Sequence, residues 1–281
     1  MARIHETAIV DPTAELADNV EVGAYCIVAG DVLIGAGTVL RPHASVRRYT
    51  TLGEGNLVDT HCVLGGEPQD LKFTPETVSF LRIGDGNVFR EGVTISRGTD
   101  EGTETRVGDR TFWMANSHAG HNATIDDEAI LVNGALLAGH TTVGRRAILS
   151  GNAVVHQFCR IGELAMVQGI SAITRHVPPF VLVSNDSRVV GLNSVGLRRA
   201  EYLDDRDREE IKGLFGEFYR SGLTPPHALE AMDRHEGLGA AAGRFREFIR
   251  EALWARKPYA RGVCPARYRA RVRPPALAKA V

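Results

Sequence analysis

The chain has 281 residues, 43% apolar and 24% charged, which excludes intrinsic disorder for its bulk and allows one large domain or one domain with a small appendage. A net charge of −1 removes any global electrostatic case for nucleic acid or membrane surfaces, but residues 256–281 carry eight basic and no acidic side chains, leaving −9 on the rest. Residues 1–10 are too polar for a signal peptide, and no apolar run approaches the roughly 20 residues of a membrane span, so no stable membrane insertion is expected. Cys26, Cys62, Cys159 and Cys264 stand far apart without a CxxC pair, so neither a disulfide framework nor a zinc knuckle is indicated. A reducing cytoplasm is the expected location.

From the N-terminus an aliphatic residue recurs every six positions: Val10, Leu16, Val22, Val28, Ile34, Leu40, Val46, Leu52, Val58 and Leu64. Glycine often follows it (Gly23, Gly35, Gly53, Gly65), and small or β-branched residues such as Cys26, Thr38, Ala44 and Cys62 stand four positions after it. The phase is lost near 66–80, returns at Ile83, Phe89 and Ile95, breaks again near 98–105, and then runs from Val107 through Trp113 and Ile125 to Ile173. A helix needs apolar spacings of three and four, and a lone strand needs strict alternation; a constant six satisfies neither. Such a unit is the hexapeptide signature of a parallel β-helix, each repeat one short strand and a glycine-eased corner, three repeats to an 18-residue coil. Cys26 and Cys62 then share one inward column two coils apart, too far for a disulfide. The predicted fold is mainly β: a left-handed parallel β-helix over residues 1–190, with loops expelled near 66–80 and 98–105, where long excursions from a rigid scaffold are often functional.

The six-residue pattern ends at Pro178-Pro179, and from about Asn193 the spacing becomes helical. Ile211, Leu214, Phe215 and Phe218 fall on one face, Pro225-Pro226 can start another helix, and Phe245, Phe248, Ile249 and Leu253 line a third. A C-terminal helical domain is predicted over 191–255, covering the exposed last coil, followed by a basic, Pro-containing tail over 256–281.

The 18-residue period brings histidines together. His121 plus one coil is position 139, beside His140, and plus two coils is 157, beside His156; His118 stands three residues before His121. Histidines at solenoid corners can simply face solvent. A stacked set beside Gly139 and Gln157 is less ordinary, because acyl transfer to a hydroxyl needs a base active near neutral pH and an N–H donor for the developing oxyanion. A zinc site on His118, His121 and His140 is the competing reading. Against it, the HxxH spacing on a β-helix puts the pair on different parts of a corner.

The stretches Met114-Ala-Asn-Ser-His-Ala-Gly-His121, Leu137-Ala-Gly-His140, Val155-His-Gln-Phe-Cys159, Val177-Pro-Pro-Phe180 and Gly65-Gly-Glu-Pro-Gln-Asp-Leu-Lys-Phe73 closely resemble the acyl-carrier-protein-dependent UDP-N-acetylglucosamine O-acyltransferases of lipid A biosynthesis, over roughly residues 4–255. The resemblance implies His121 as general base and the Gly139 N–H as oxyanion donor. His140, His156 and Gln157 would contact the sugar nucleotide, and His118 would line the same substrate site. Asp70 and Lys72 would hold sugar and phosphate, Asn193 and Arg199 match nucleotide-contacting positions, and Gly169 falls where acyl length is set. It further implies a homotrimer with sites between subunits. It implies no metal and no cofactor, the acyl group arriving on the phosphopantetheine arm of acyl carrier protein as co-substrate, with a UDP-amino sugar as acceptor.

Two departures stand out. Where the family usually has Asp after the catalytic histidine, this chain has Asn122, which can orient the ring but offers no negative charge. An acidic position near the nucleotide is here Val195. The alternatives are the same scaffold acylating a different or 3-amino sugar nucleotide, a zinc-dependent β-helix hydratase, and a non-catalytic relative that binds a partner through its basic tail.

Overall fold

A computed structural model describes residues 1–267. Of the basic tail expected over 256–281, residues 268–281 lie outside the described residues. Strands of two to five residues fall into three sheets of eleven, nine and eight strands among the described residues. Every pairing is parallel except that of Arg188–Leu192 with Val181–Ser184. As far as Ile173 consecutive strands go to different sheets and every fourth strand lies over the first: Arg3 pairs with Glu21, 18 residues on, and Ile9 with Ile27. This is a left-handed parallel β-helix.

The aliphatic residue of each repeat points inward, and one such column runs through Val22, Leu40, Val58, Phe89, Trp113, Leu131 and Leu149, all buried. Cys26, Ala44 and Cys62 occupy the next column, and all four cysteines are free and buried. Burial pushes the Cys62 thiol up to about 12 and the Cys159 thiol up to about 11, so neither is a nucleophile at neutral pH. One inward row is polar. Asn56 Oδ1 accepts from Asn87 N–H (2.9 Å), and Asn87 Oδ1 accepts from the Thr111 N–H and hydroxyl (2.8 and 2.6 Å). The Trp113 indole N–H donates to Thr111 Oγ1 at 2.8 Å. Asn56 is satisfied on both amide atoms, its Nδ2 donating to Gly84 O at 3.0 Å, whereas Asn87 Nδ2 has no partner among the described residues.

The glycine after the aliphatic does not ease the turn. A Cβ on Gly35 would come within 2.4 Å of the Gly53 carbonyl carbon, so the close approach of the next coil is what requires it. The left-handed backbone falls two residues later and is seldom glycine: Asn122, His140 and Phe158 have φ of 57°, 56° and 64°.

The chain leaves the coil between Gly66 and Phe80 and again between Ser96 and Glu104. The spacing between coils there lengthens to 31 residues (Thr51 with Arg82) and then 24 (Arg82 with Arg106). The first loop is held down by Arg97, a buried guanidinium lying 5.1 Å from the Tyr49 ring centre and 5.2 Å from that of Phe73.

Four helices follow among the described residues: α1 (Ser194–Arg199), α2 (Asp205–Arg220), α3 (Pro225–Asp233) and α4 (Ala240–Trp254). Helix α2 starts with a capping box between Asp204 and Asp207 and buries Ile211, Leu214, Phe215 and Phe218. Helix α4 buries Phe245, Phe248 and Ile249 and ties to the last coils through Arg244–Glu163 and Arg160–Glu251 ion pairs. Beyond α4 the chain returns to the β-helix. His176 donates its N–H to Gly262 O (2.8 Å) and accepts from Cys264 N–H (2.9 Å), and its ring donates from Nε2 to Tyr259 O (2.8 Å). His176 Nδ1 accepts from Arg160 N–H at 3.1 Å, so the ring sits neutral, and burial pushes its pKa down.

Candidate active site

The corner between the strands His118–Ala119 and Thr124–Ile125 is made by His121 and Asn122, the latter in the left-handed conformation. Gly139 and His140 form the corner of the next coil, and Gln157 and Phe158 that of the coil after. His121, Gly139 and Gln157 therefore share one column, and Asn122, His140 and Phe158 the next. His140 N–H donates to His121 O at 2.9 Å, which locks the two corners together.

The space above the His121 ring exists because Gly139 has no side chain: a Cβ there would lie 2.5 Å from both Cε1 and Nε2. The Gly139 N–H makes no hydrogen bond among the described residues, unlike the His140 N–H beside it. Around the corner the His121 and His140 rings meet edge to face at 5.1 Å, and His140 stacks on Phe158 at 4.8 Å. Tyr259 from the returning C-terminal segment closes this row edge-on at 5.2 Å from Phe158.

Hydrogen bonding settles the protonation pattern of His121. Asn122 Oδ1 lies 3.1 Å from Thr99 N–H, 2.9 Å from Thr99 Oγ1 and 2.9 Å from His121 Nδ1. A backbone N–H can only donate, so the atom it faces is the amide oxygen, and His121 Nδ1 must then carry the proton. In the neutral form of the ring the lone pair is therefore on Nε2, below Gly139. Burial disfavours the charged form of two neighbouring histidines. Burial pushes His118 down, and its Nδ1 meets Thr94 Oγ1 at 2.7 Å. Burial also pushes His140 down, reinforced by His121 and opposed by Asp100 and Asp70. His156 is exposed, with its Nδ1 at 3.1 Å from Gln157 O.

A cavity of about 400 Å³ opens on His118, His121, Gly139 and Gln157, and Gln69 and Ser96 also line it. Gln69 stands one residue before Asp70 within the recognisable loop motif, whereas Ser96 left no signal in the sequence. Outward-facing Leu136 and Val154 continue the cavity as an apolar track. Gly169 lies at the opposite corner of that sheet, where a Cβ would come within 3.1 Å of Gly151 O. Asp70 and Lys72 are exposed on the first loop, where Asp70 Oδ1 accepts the Lys72 N–H at 2.9 Å.

Two candidate residues are elsewhere on the chain. Asn193 caps α1, accepting from Gly196 N–H at 3.0 Å and donating to Leu164 O at 2.8 Å, so its amide is committed to the fold. Arg199 lines a separate cavity of about 540 Å³ with Glu128, Arg146, Met166 and Val195, on another face of the β-helix. Among the described residues no group of three His, Cys, Asp or Glu side chains is arranged to hold a metal ion.

Residues 176–264 match the family model described as UDP N-acetylglucosamine O-acyltransferase, domain 2. An acyl-[acyl-carrier-protein]–UDP-N-acetylglucosamine O-acyltransferase of Stenotrophomonas maltophilia is 45% identical over 82% of this chain and 88% of its own length. One of Anaeromyxobacter is 41% identical over 88% and 96%. The crystal structure of UDP-N-acetylglucosamine O-acyltransferase from Moraxella catarrhalis superposes with a TM-score of 0.84 at 36% identity, covering 88% of this chain and 96% of that one.

Proposed function

The chain belongs to the acyl-[acyl-carrier-protein]–UDP-N-acetylglucosamine O-acyltransferase family, and from that premise we propose that His121 is the general base of the transfer and the Gly139 N–H its oxyanion donor. The reaction is the first step of lipid A biosynthesis: an acyl group, a 3-hydroxyacyl chain in this reading, passes from acyl carrier protein to the 3-hydroxyl of UDP-N-acetylglucosamine. It uses no cofactor; the acyl group arrives as a thioester on the carrier's phosphopantetheine arm.

The observation that carries the residue assignment is the Nδ1–H of His121 held by Asn122, which leaves Nε2 a free base under a residue without a side chain. As the sugar oxygen attacks the thioester carbon, its proton passes to Nε2 and the carbonyl electron pair moves onto oxygen, where the Gly139 N–H donates to it. Collapse restores the carbonyl and breaks the C–S bond. The departing sulfur takes the proton back from Nε2, leaving ester, free thiol and neutral imidazole.

His140, His156, Gln157 and His118 line the acceptor side, Asp70 and Lys72 reach it from the loop, and Leu136 and Val154 carry the acyl chain toward Gly169. Asn193 and Arg199 face away from His121 within one chain, so their contact with nucleotide requires a second subunit, in keeping with a homotrimer. Four unpaired cysteines agree with a cytoplasmic enzyme, and no helix is long and apolar enough to cross a membrane among the described residues.

His121→Ala should cut turnover of UDP-N-acetylglucosamine with acyl carrier protein thioesters by roughly 10²- to 10⁴-fold while leaving the assembly intact. Activity within a few-fold of wild type would move the base to His118 or His140. A second reading is favoured by the neutral Asn122: a 3-amino acceptor brings its own lone pair and asks less of the base. Asn122→Asp should then raise the rate with the hydroxyl acceptor more than with its 3-amino analogue.

A further inference from the structure

A base that ends proton transfer as an imidazolium is helped by negative charge on its far side. Beside His121 that place is taken by an uncharged amide, but the contacts do not stop there. Thr99 Oγ1 stands 2.9 Å from Asn122 Oδ1 and 3.3 Å from Asp100 Oδ2. A hydroxyl has one proton to give, to the amide or to the carboxylate, while the Thr99 N–H holds the amide in either case. We propose that Asp100 is a positioning residue of the transfer: linked through Thr99 and Asn122, its carboxylate supplies from the loop the negative charge that the residue beside the base lacks.

The loop is built to keep the carboxylate there without using it. Asp100 O accepts from the Thr103 N–H and hydroxyl at 3.0 and 2.8 Å. Gly98 O accepts from Ser79 Oγ at 2.6 Å, and Glu101 Oε2 from Val78 N–H at 2.9 Å. The Asp100 side chain enters none of these bonds, so an isosteric amide leaves the loop in place. Of the titratable groups, His118 lines the same cavity as His121, His140 meets its ring, Asp100 follows Thr99 on this loop, and Asp70 on the other loop acts on His140. Both carboxylates favour the protonated form of His140 against its burial, so their field reaches the ring that meets His121 edge-on. Asp70 instead spends its Oδ1 on the Lys72 N–H, and no chain of contacts leads from it to Asn122. Asp100 is exposed, so solvent and salt screen it and its effect is modest.

The inference rests on His121 as base, and the experiment separates the two. The pH dependence of kcat and KM is measured for wild type, Asp100→Asn, Asn122→Asp and the double variant, with His121→Ala alongside. Asp100→Asn is expected to lower kcat about two- to fivefold with little change in KM, and to move the acid limb to lower pH. In the Asn122→Asp background, where the charge sits beside the ring, the same substitution should change kcat by less than about twofold. An unmoved acid limb and kcat in Asp100→Asn, or an equal loss in both backgrounds, overturns the proposal. Near-complete loss in His121→Ala would still stand for the base itself.

Discussion

Two corners of the same β-helix carry histidines, and one of them lines the cavity proposed as the active site. In the early coils Tyr25, His43 and His61 repeat every 18 residues in the left-handed conformation and stack nearly parallel at 5.2 Å, exposed to solvent. Neither imidazole makes a side-chain hydrogen bond among the described residues. His140 and Phe158, in the middle coils, repeat that stacking at 4.8 Å. His121 breaks it. It sits one position earlier in its corner, meets His140 edge-on, has a bare glycine over it, and is tied through Asn122 to a loop outside the coil. A solenoid repeats rings without effort, and the proposed base stands where the repetition is interrupted by a missing side chain and a contact from elsewhere.

The contrast can be broken most sharply at Gly139. Gly139→Ala leaves the backbone N–H in place but puts a methyl 2.5 Å from the His121 ring, which must swing away. A displacement of about 1 Å is enough for a loss on the order of 10²-fold in kcat, whereas His61→Ala in the same assay should change nothing. Retained activity in Gly139→Ala would mean that the ring is not poised beneath that residue.

His176 sharpens the comparison through stability. Its folded pKa is pushed below the unfolded value of about 6.5, so the neutral ring's contribution is complete above that pH and is lost as pH falls through it toward the folded value. Protonation also costs the bond from Arg160 N–H and faces the positive charges of Arg160 and Arg261. The thermal midpoint should therefore fall between pH 7 and pH 5 in wild type and fall less in His176→Gln. His118 and His140 add contributions of the same sign. An equal slope in both proteins would assign the acid sensitivity elsewhere.

The smallest effect belongs to the exposed row. His43→Ala and His61→Ala should each shift unfolding free energy by no more than about 0.5 kcal/mol, measured by denaturant titration. A larger loss would give the exposed stack an energetic role of its own.

The six-residue phase made the coil legible because every repeat answers the same packing demand, and the 18-residue sum brought His121, Gly139 and Gln157 into one column before any geometry was known. What stayed hidden has no period. The Asn56–Asn87–Thr111 row reads in sequence as three unrelated polar residues, because the coil lengthens to 31 and then 24 residues between them. Thr99 reaches Asn122 only through the loop's conformation, and Ser96 lines the cavity from the end of an ordinary strand. Asn193 matched a motif, yet its amide caps a helix, a local competition that residue identity does not reveal. The return of Tyr259 to His176, 83 residues away, was equally silent.

The alignment of His121 beneath Gly139 depends on counting. Removing a single residue anywhere between Asn122 and Ala138 would slide His140 into the place of Gly139, setting an imidazole where not even a methyl fits. Every later inward residue would turn outward with it. Substitutions at these coils are graded injuries, but an insertion or deletion is a frameshift of the fold, repaired only by a whole turn. The chain can therefore change in length without that injury only where it has already stepped outside the coil, between Gly66 and Phe80 and between Ser96 and Glu104.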